Sequence, residues 1–246
     1  MPFLHRGEAR LYFEDSGSGF PILLLAAGSH RSRIDSWPRL ATTYPDFRFD
    51  PLVEFPAYFR LIAMDQRNAG LSVGPVESDD GWDMFAADQI AVMDHVGIEK
   101  FHILGGCIGG PFALALCEKV PDRVASVVLQ DPIGADPAAP KANLEHYREW
   151  AADIAAERPD LDPGKLEAFG RNLYERDFAF SVTREFVASC QTPMLIMPSD
   201  DHHHPLVVAE EVAALAPFAE IDRTWRERSP ARNAQRVREF FEAHTP

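Results

Sequence analysis

Residues 104–111 read LGGCIGGP, with glycines at 105, 106, 109 and 110 around a single cysteine, Cys107. The apolar run KFHIL precedes them and the amphipathic run PFALALCEKV follows. This order predicts a strand, a tight turn and a helix, with Cys107 at the tip of the turn. A side chain at such a tip projects away from the sheet, and N–H groups at the start of the following helix favour negative charge beside it. The turn is crowded and needs small neighbours, which Gly105 and Gly109 supply as G-x-C-x-G. A thiol ionises far more readily than a hydroxyl: its ordinary pKa is about 8.5, and a helix amino terminus or an imidazolium lowers it. The thiolate attacks a carbonyl carbon without a strong base. It also departs from a tetrahedral adduct before an amine does. Enol esters, lactones, thioesters and aryl esters therefore suit it better than peptides. A second chemically capable run is DDHHHP, which ends at Pro205. Adjacent histidines on extended chain point in alternate directions, so three of them do not readily converge on one metal ion. No metal and no cofactor is expected.

The elements that must position these residues alternate along the chain. FPILLLAAG, YFRLIAMDQ, KFHILGGC, RVASVVLQDP and TPMLIMPSD are short, continuous apolar runs, as buried strands require. EARLYFED alternates and reads as an edge strand, and AEIDRTW as a weak last strand. Helical patterns lie between them: GWDMFAADQIAVMDHVG, GGPFALALCEKV, PLVVAEEVAALA and SPARNAQRVREFFEAH. The expected fold is α/β, a mostly parallel doubly wound sheet with helices on both faces. Residues 136–188 break the alternation with helical patterns and no strand, as a helical insertion would. YPDFRFDPLVEFPAYF is expected to be an ordered loop without a function.

Bulk properties bound the partners. The chain has 246 residues, enough for one sizeable α/β domain. Acidic residues outnumber basic ones 38 to 24, giving a formal charge of −14. That charge argues against nucleic acid and anionic membranes, and leaves a small-molecule substrate as the expected partner. Homo-oligomerisation stays open. The first residues carry no basic segment followed by a long apolar run, and the three cysteines form no CxxC pair. A reducing cytoplasm is the expected compartment.

These motifs together resemble the α/β-hydrolase fold family over essentially the whole chain. DQRNAGLS, from Asp65 to Ser72, is similar to its D-x-R-G-x-G-x-S loop, with Asn68 in place of a glycine. PDRV, Pro121 to Val124, follows the elbow helix as it often does in that family. PSDDHHHP follows a late strand, where the family carries its acid. The resemblance implies one domain over 1–246, with 136–188 as a small helical cap inserted in it. It also implies an oxyanion hole from the N–H of Ile108 and one from Ser29 or, second in order, Gly28. Three departures stand out. The nucleophile is Cys107 rather than serine, which resembles dienelactone hydrolase. Ala27 stands where His usually precedes Gly28. The region after the last strand, TWRERSPARNAQ, has Trp225 and Arg226 but no histidine.

A cysteine elbow needs a base or ion-pair partner, and DDHHHP is the nearest source. Asp201 matches the family's acid. His204 is restricted by Pro205 to an extended backbone, and it is the expected base. By alternation His202 shares its side and His203 points away, so His202 is the alternative base. Asp131, at the end of a strand where some members carry the acid, is the alternative acid. The loop carrying His30, Arg31 and Arg33 is either solvated or offers a substrate carboxylate a bidentate arginine. Cys117 reads as core and Cys190 as structural. The expected function is cysteine-dependent hydrolysis of a small activated ester, lactone or thioester through a thioester acyl-enzyme. An acyltransferase, another cofactor-free enzyme on the same fold, and a non-catalytic small-molecule binding protein are the alternatives.

Overall fold

The computed structural model describes residues 2–246. Its eight strands form one sheet in the order β1-β2-β4-β3-β5-β6-β7-β8. The strands are β1 (Phe3–Arg6), β2 (Ala9–Gly17), β3 (Phe20–Leu25), β4 (Phe59–Met64), β5 (Phe101–Gly106), β6 (Val124–Gln130), β7 (Met194–Met197) and β8 (Ala219–Ile221). β2 runs against both of its neighbours, and every other pairing after it is parallel. The alternating run is β2, but it is not the edge, because β1 covers it. β1 is four residues long and half exposed, too short for its pattern to stand out in sequence. β5, in the middle of the sheet, is buried along its whole length. That is why its sequence is continuously apolar up to the glycines.

Helices cover both faces: α1 (Ser36–Thr43), α2 (Pro51–Glu54), α3 (Trp82–His95), α4 (Gly109–Lys119), α5 (Ala142–Glu157), α6 (Pro163–Tyr174), α7 (Arg184–Ser189), α8 (Leu206–Leu215) and α9 (Pro230–Ala243). α2 lies in the aromatic stretch expected to be an ordered loop. Its signal was local: the Asp50 side chain accepts the Leu52 N–H, and Pro51 opens the helix. One apolar core, with Phe85, Phe112, Ile103 and Leu166, packs under α3, α4 and α6. The other, with Trp37, Phe55, Trp225 and Phe241, packs under α1 and α9. α5, α6 and α7 follow one another between β6 and β7. No described helix is long and apolar enough to cross a membrane.

Candidate active site

The crossing of β5 into α4 explains the glycines around Cys107. A Cβ at Gly105 would lie 2.2 Å from the Gly109 carbonyl oxygen, and one at Gly109 would lie 2.2 Å from the carbonyl oxygen of Leu25 in β3. Neither position admits a side chain without moving backbone. Cys107 itself has φ of 54°, a conformation that non-glycine residues seldom adopt. Its N–H donates to the Gln130 carbonyl at 2.9 Å, and its carbonyl accepts the Gly110 N–H at 3.0 Å. The turn is thereby pinned to β6 on one side and to α4 on the other. Cys107 is half-buried, whereas Cys117 and Cys190 are buried.

The DDHHHP run is a closed turn after β7. Asp201 donates its N–H to the His204 carbonyl at 3.3 Å and accepts the His204 N–H at 3.1 Å. Its Oδ1 accepts the N–H groups of His203 and His204 at 2.9 and 3.0 Å. His204 Nδ1 lies 2.9 and 3.0 Å from the two Asp201 oxygens. The ring's other nitrogen is left for Cys107, with whose thiol His204 shares a hydrogen bond. Cysteine, imidazole and carboxylate are thus joined in a line.

Electrostatics along this line favour charge on the sulfur and the ring together. Burial pushes the Cys107 thiol up. The His204 charge and hydrogen bond, with the N–H groups of Gly28 and Ile108, bring it down to about 7. Burial pushes His204 down, but Cys107 and Asp201 raise it to about 10. His204 beside Asp201 holds that carboxyl well below the usual carboxylate range. Each group favours the charged form of the other, so the contact favours thiolate and imidazolium together. The rate of iodoacetamide alkylation at Cys107 should therefore rise as pH rises through about 7. In His204→Ala the midpoint should move alkaline, to at least the ordinary thiol value of about 8.5. Peptide mapping across pH measures both. A wild-type midpoint already at the ordinary value, or one that His204→Ala leaves in place, would dispose of the ion pair.

Other sequence-derived candidates lie elsewhere. His202 faces Asp136, at 2.7 Å, and its side chain is 71% exposed. The alternation that put it on the side of His204 does not apply, because 201–204 is a turn rather than extended chain. Asp131 is not an acid partner for a histidine. Its carboxylate, 1% exposed, accepts from Arg48 and, at 3.0 Å, from Arg226. Arg226 thus comes from the region where the resemblance led one to expect the histidine, and its guanidinium stacks over Trp225. Gly28, placed second to Ser29 as an oxyanion donor, is the residue whose N–H faces the Cys107 sulfur together with that of Ile108. His30 is not a surface loop residue: it is 3% exposed, and its Nε2 lies 2.9 Å from the Tyr174 hydroxyl among the rings of Tyr147 and Trp150. Burial, then the nearby His146 and Arg31, lower its pKa to about 3, so it stays neutral. Arg31 pairs with Asp153, and Arg33 with Asp35 at 2.5 Å. Both line a groove of about 710 Å³ with Trp150 and Arg158, and Cys107 is not part of its wall.

Two neighbours of the thiol were not found in the sequence. Tyr174 ends α6, and burial followed by the Cys107 charge raises its phenol, which remains a neutral donor. Arg48 donates to Gln130 Oε1 at 2.9 Å and to Asp131, and the Cys107 charge favours its protonated form. Neither residue belongs to a motif. Only the fold brings residues 48 and 174 to the elbow.

A family model described as alpha/beta hydrolase fold matches residues 28–243. The chain is 31% identical over 137 residues to a putative carbamate hydrolase, RutD, of Azorhizobium caulinodans, covering 52% of this chain and 43% of that one. It is 27% identical over 170 residues to a 2-hydroxymuconate semialdehyde hydrolase of a Pseudomonas species, covering 69% and 55%. The matches thus span about half the length of these curated relatives. A serine hydrolase structure from the polyaromatic-hydrocarbon-degrading bacterium Cycloclasticus zankles superimposes with a TM-score of 0.69 at 20% identity, over 98% of this chain and 97% of that one. At that identity the likeness is one of fold.

Proposed function

The chain belongs to the α/β-hydrolase fold family, and from that premise we propose that it hydrolyses a small activated ester, lactone or thioester through a Cys107–His204–Asp201 triad. The observation that carries this reading is the placement of His204, with one ring nitrogen on the Asp201 carboxylate and the other on the Cys107 thiol. The Cys107 thiolate attacks the acyl carbon and forms the C–S bond, and the carbonyl electron pair moves onto oxygen. The N–H groups of Gly28 and Ile108, already turned toward the sulfur, receive that oxyanion. As the adduct collapses, the His204 imidazolium protonates the leaving oxygen or sulfur. His204, now neutral, takes a proton from water, which attacks the thioester and releases the Cys107 thiolate. Asp201 holds the ring orientation in both halves and favours the imidazolium that starts the first half and is re-formed in the second.

The helices α5, α6 and α7 act as the cap over this elbow. Their aromatic residues Tyr147, Trp150 and Tyr174 close around His30, next in the chain to Ser29 and Gly28. Substrate choice therefore rests with the cap rather than with the sheet. Intact-protein mass after brief incubation with aryl esters, thioesters and lactones tests the reading. A transient acyl adduct on Cys107 that water discharges is the expected result. Discharge only onto an added alcohol or thiol would make the protein a transferase. No adduct with any member of the panel would leave it a binding protein.

A further inference from the structure

At the end of α4 away from the elbow, two thiols meet. Cys117 lies near the end of that helix and Cys190 directly follows α7, with β6 and the whole helical insertion between them in sequence. Both are free and buried. Their thiols hydrogen-bond to each other, and both residues take hydrogen bonds from Thr192. Cys117, Cys190 and Thr192 also line one cavity of about 690 Å³ that includes Lys100 and His244. Simple core packing of two small apolar residues requires neither the hydrogen bonds to sulfur nor the cavity. Together these features give a contact pair, stabilising donors for one thiolate, and a cavity beside both thiols with room for a small reagent. The Cys117 thiol first, and then the Thr192 N–H and hydroxyl, favour the ionised form of Cys190, so Cys190 is the member that reacts first.

We propose that Cys117 and Cys190 form a modification site, a dithiol that a hydroperoxide converts into a disulfide joining the elbow helix to the end of the insertion. The Cys190 thiolate attacks one peroxide oxygen and displaces the other as hydroxide, giving a sulfenic acid. The Cys117 sulfur then attacks the Cys190 sulfur and forms the S–S bond. The sulfenic oxygen leaves as a second hydroxide, and the two thiol protons complete two waters. Two thiols lose two electrons and the peroxide gains them. Hydrogen peroxide alone suffices as oxidant. The bond closes a loop that contains all of the insertion, so the oxidised protein melts at a higher temperature than the reduced one.

The test uses the full chain with Cys107→Ser, so that the half-buried thiol does not compete. After hydrogen peroxide in slight excess, intact mass should fall by about 2 Da, the two hydrogens lost as the thiols are oxidised. Non-reducing peptide mapping should recover the Cys117 and Cys190 peptides linked, and dithiothreitol should separate them. Wild-type protein with Cys107 first blocked by iodoacetamide should give the same linked peptide, which covers the case in which Cys107→Ser folds poorly. In Cys107→Ser/Cys190→Ser, Cys117 should stay reduced. Two free thiols after treatment, sulfinic acid on Cys190, a bond between chains, or oxidation of Cys117 in the double variant would each overturn the proposal.

Discussion

Cys107→Ala should lose all measurable turnover of an activated ester, and Cys107→Ser should keep less than about a hundredth of the wild-type rate. Both should fold. The side chain is half-buried at the tip of a turn that is fixed by its backbone and its glycines, and alanine and serine disturb neither. The alanine variant has no atom to form the acyl bond. The serine variant has one, but its hydroxyl must give up a proton during attack, whereas the thiol ionises near pH 7 with His204 beside it. The shorter C–O bond also holds the oxygen back from donors placed around a sulfur. Initial rates with an aryl ester, with circular dichroism as a check on folding, decide the matter. Wild-type turnover in Cys107→Ala would put the nucleophile elsewhere. Near wild-type turnover in Cys107→Ser would show that the thiolate ion pair contributes nothing.

Much of this arrangement is legible in the chain because local chemistry dictates it. The elbow can be read from its glycines alone, since the clash of a Cβ at Gly105 with the Gly109 carbonyl is a local event. The central strands can be read because burial on both faces demands unbroken apolar runs. The neighbourhood of Asp201 and His204 could be read from the DDHHHP run itself, although the extended backbone invoked for His204 is the end of a turn. Residues that depend on distant contacts could not be read. Arg48 and Asp131 are 83 positions apart, and His30 and Tyr174 are 144 apart. Nothing in the neighbourhood of either pair signals the contact. Polar loop residues were misplaced for the same reason. His30, Arg31 and Arg33 look alike in sequence, yet the first is sealed among aromatic rings and the other two pair with carboxylates at the surface. The meeting of Cys117 and Cys190 was equally invisible, because each lies in a run that packing alone accounts for.

His204→Ala should lower turnover by about a hundredfold or more, a loss of about 2.7 kcal/mol of transition-state stabilisation. Two effects add. The leaving group and the attacking water lose their proton donor and acceptor, and Cys107 loses the charge that opposes its burial, so less thiolate is present at neutral pH. The second effect has its own signature. The acid limb of the pH–rate profile should shift alkaline in His204→Ala, and part of the lost rate should return as pH rises and ionises the unassisted thiol. His202→Ala should change little, because that ring is exposed on Asp136. His203→Ala should also change little, because the hydrogen bonds of this residue are made by its backbone: its N–H on Asp201, and its carbonyl on the Gly134 N–H and the Asn143 side chain. Asp201→Asn should fall between these cases. It keeps an oxygen for the backbone N–H groups of the turn but removes the charge that raises His204. Its acid limb should stay nearer the wild-type position than that of His204→Ala. Full activity in His204→Ala with a large loss in His202→Ala would move the base by two residues and break the ion pair on which the proposed chemistry depends.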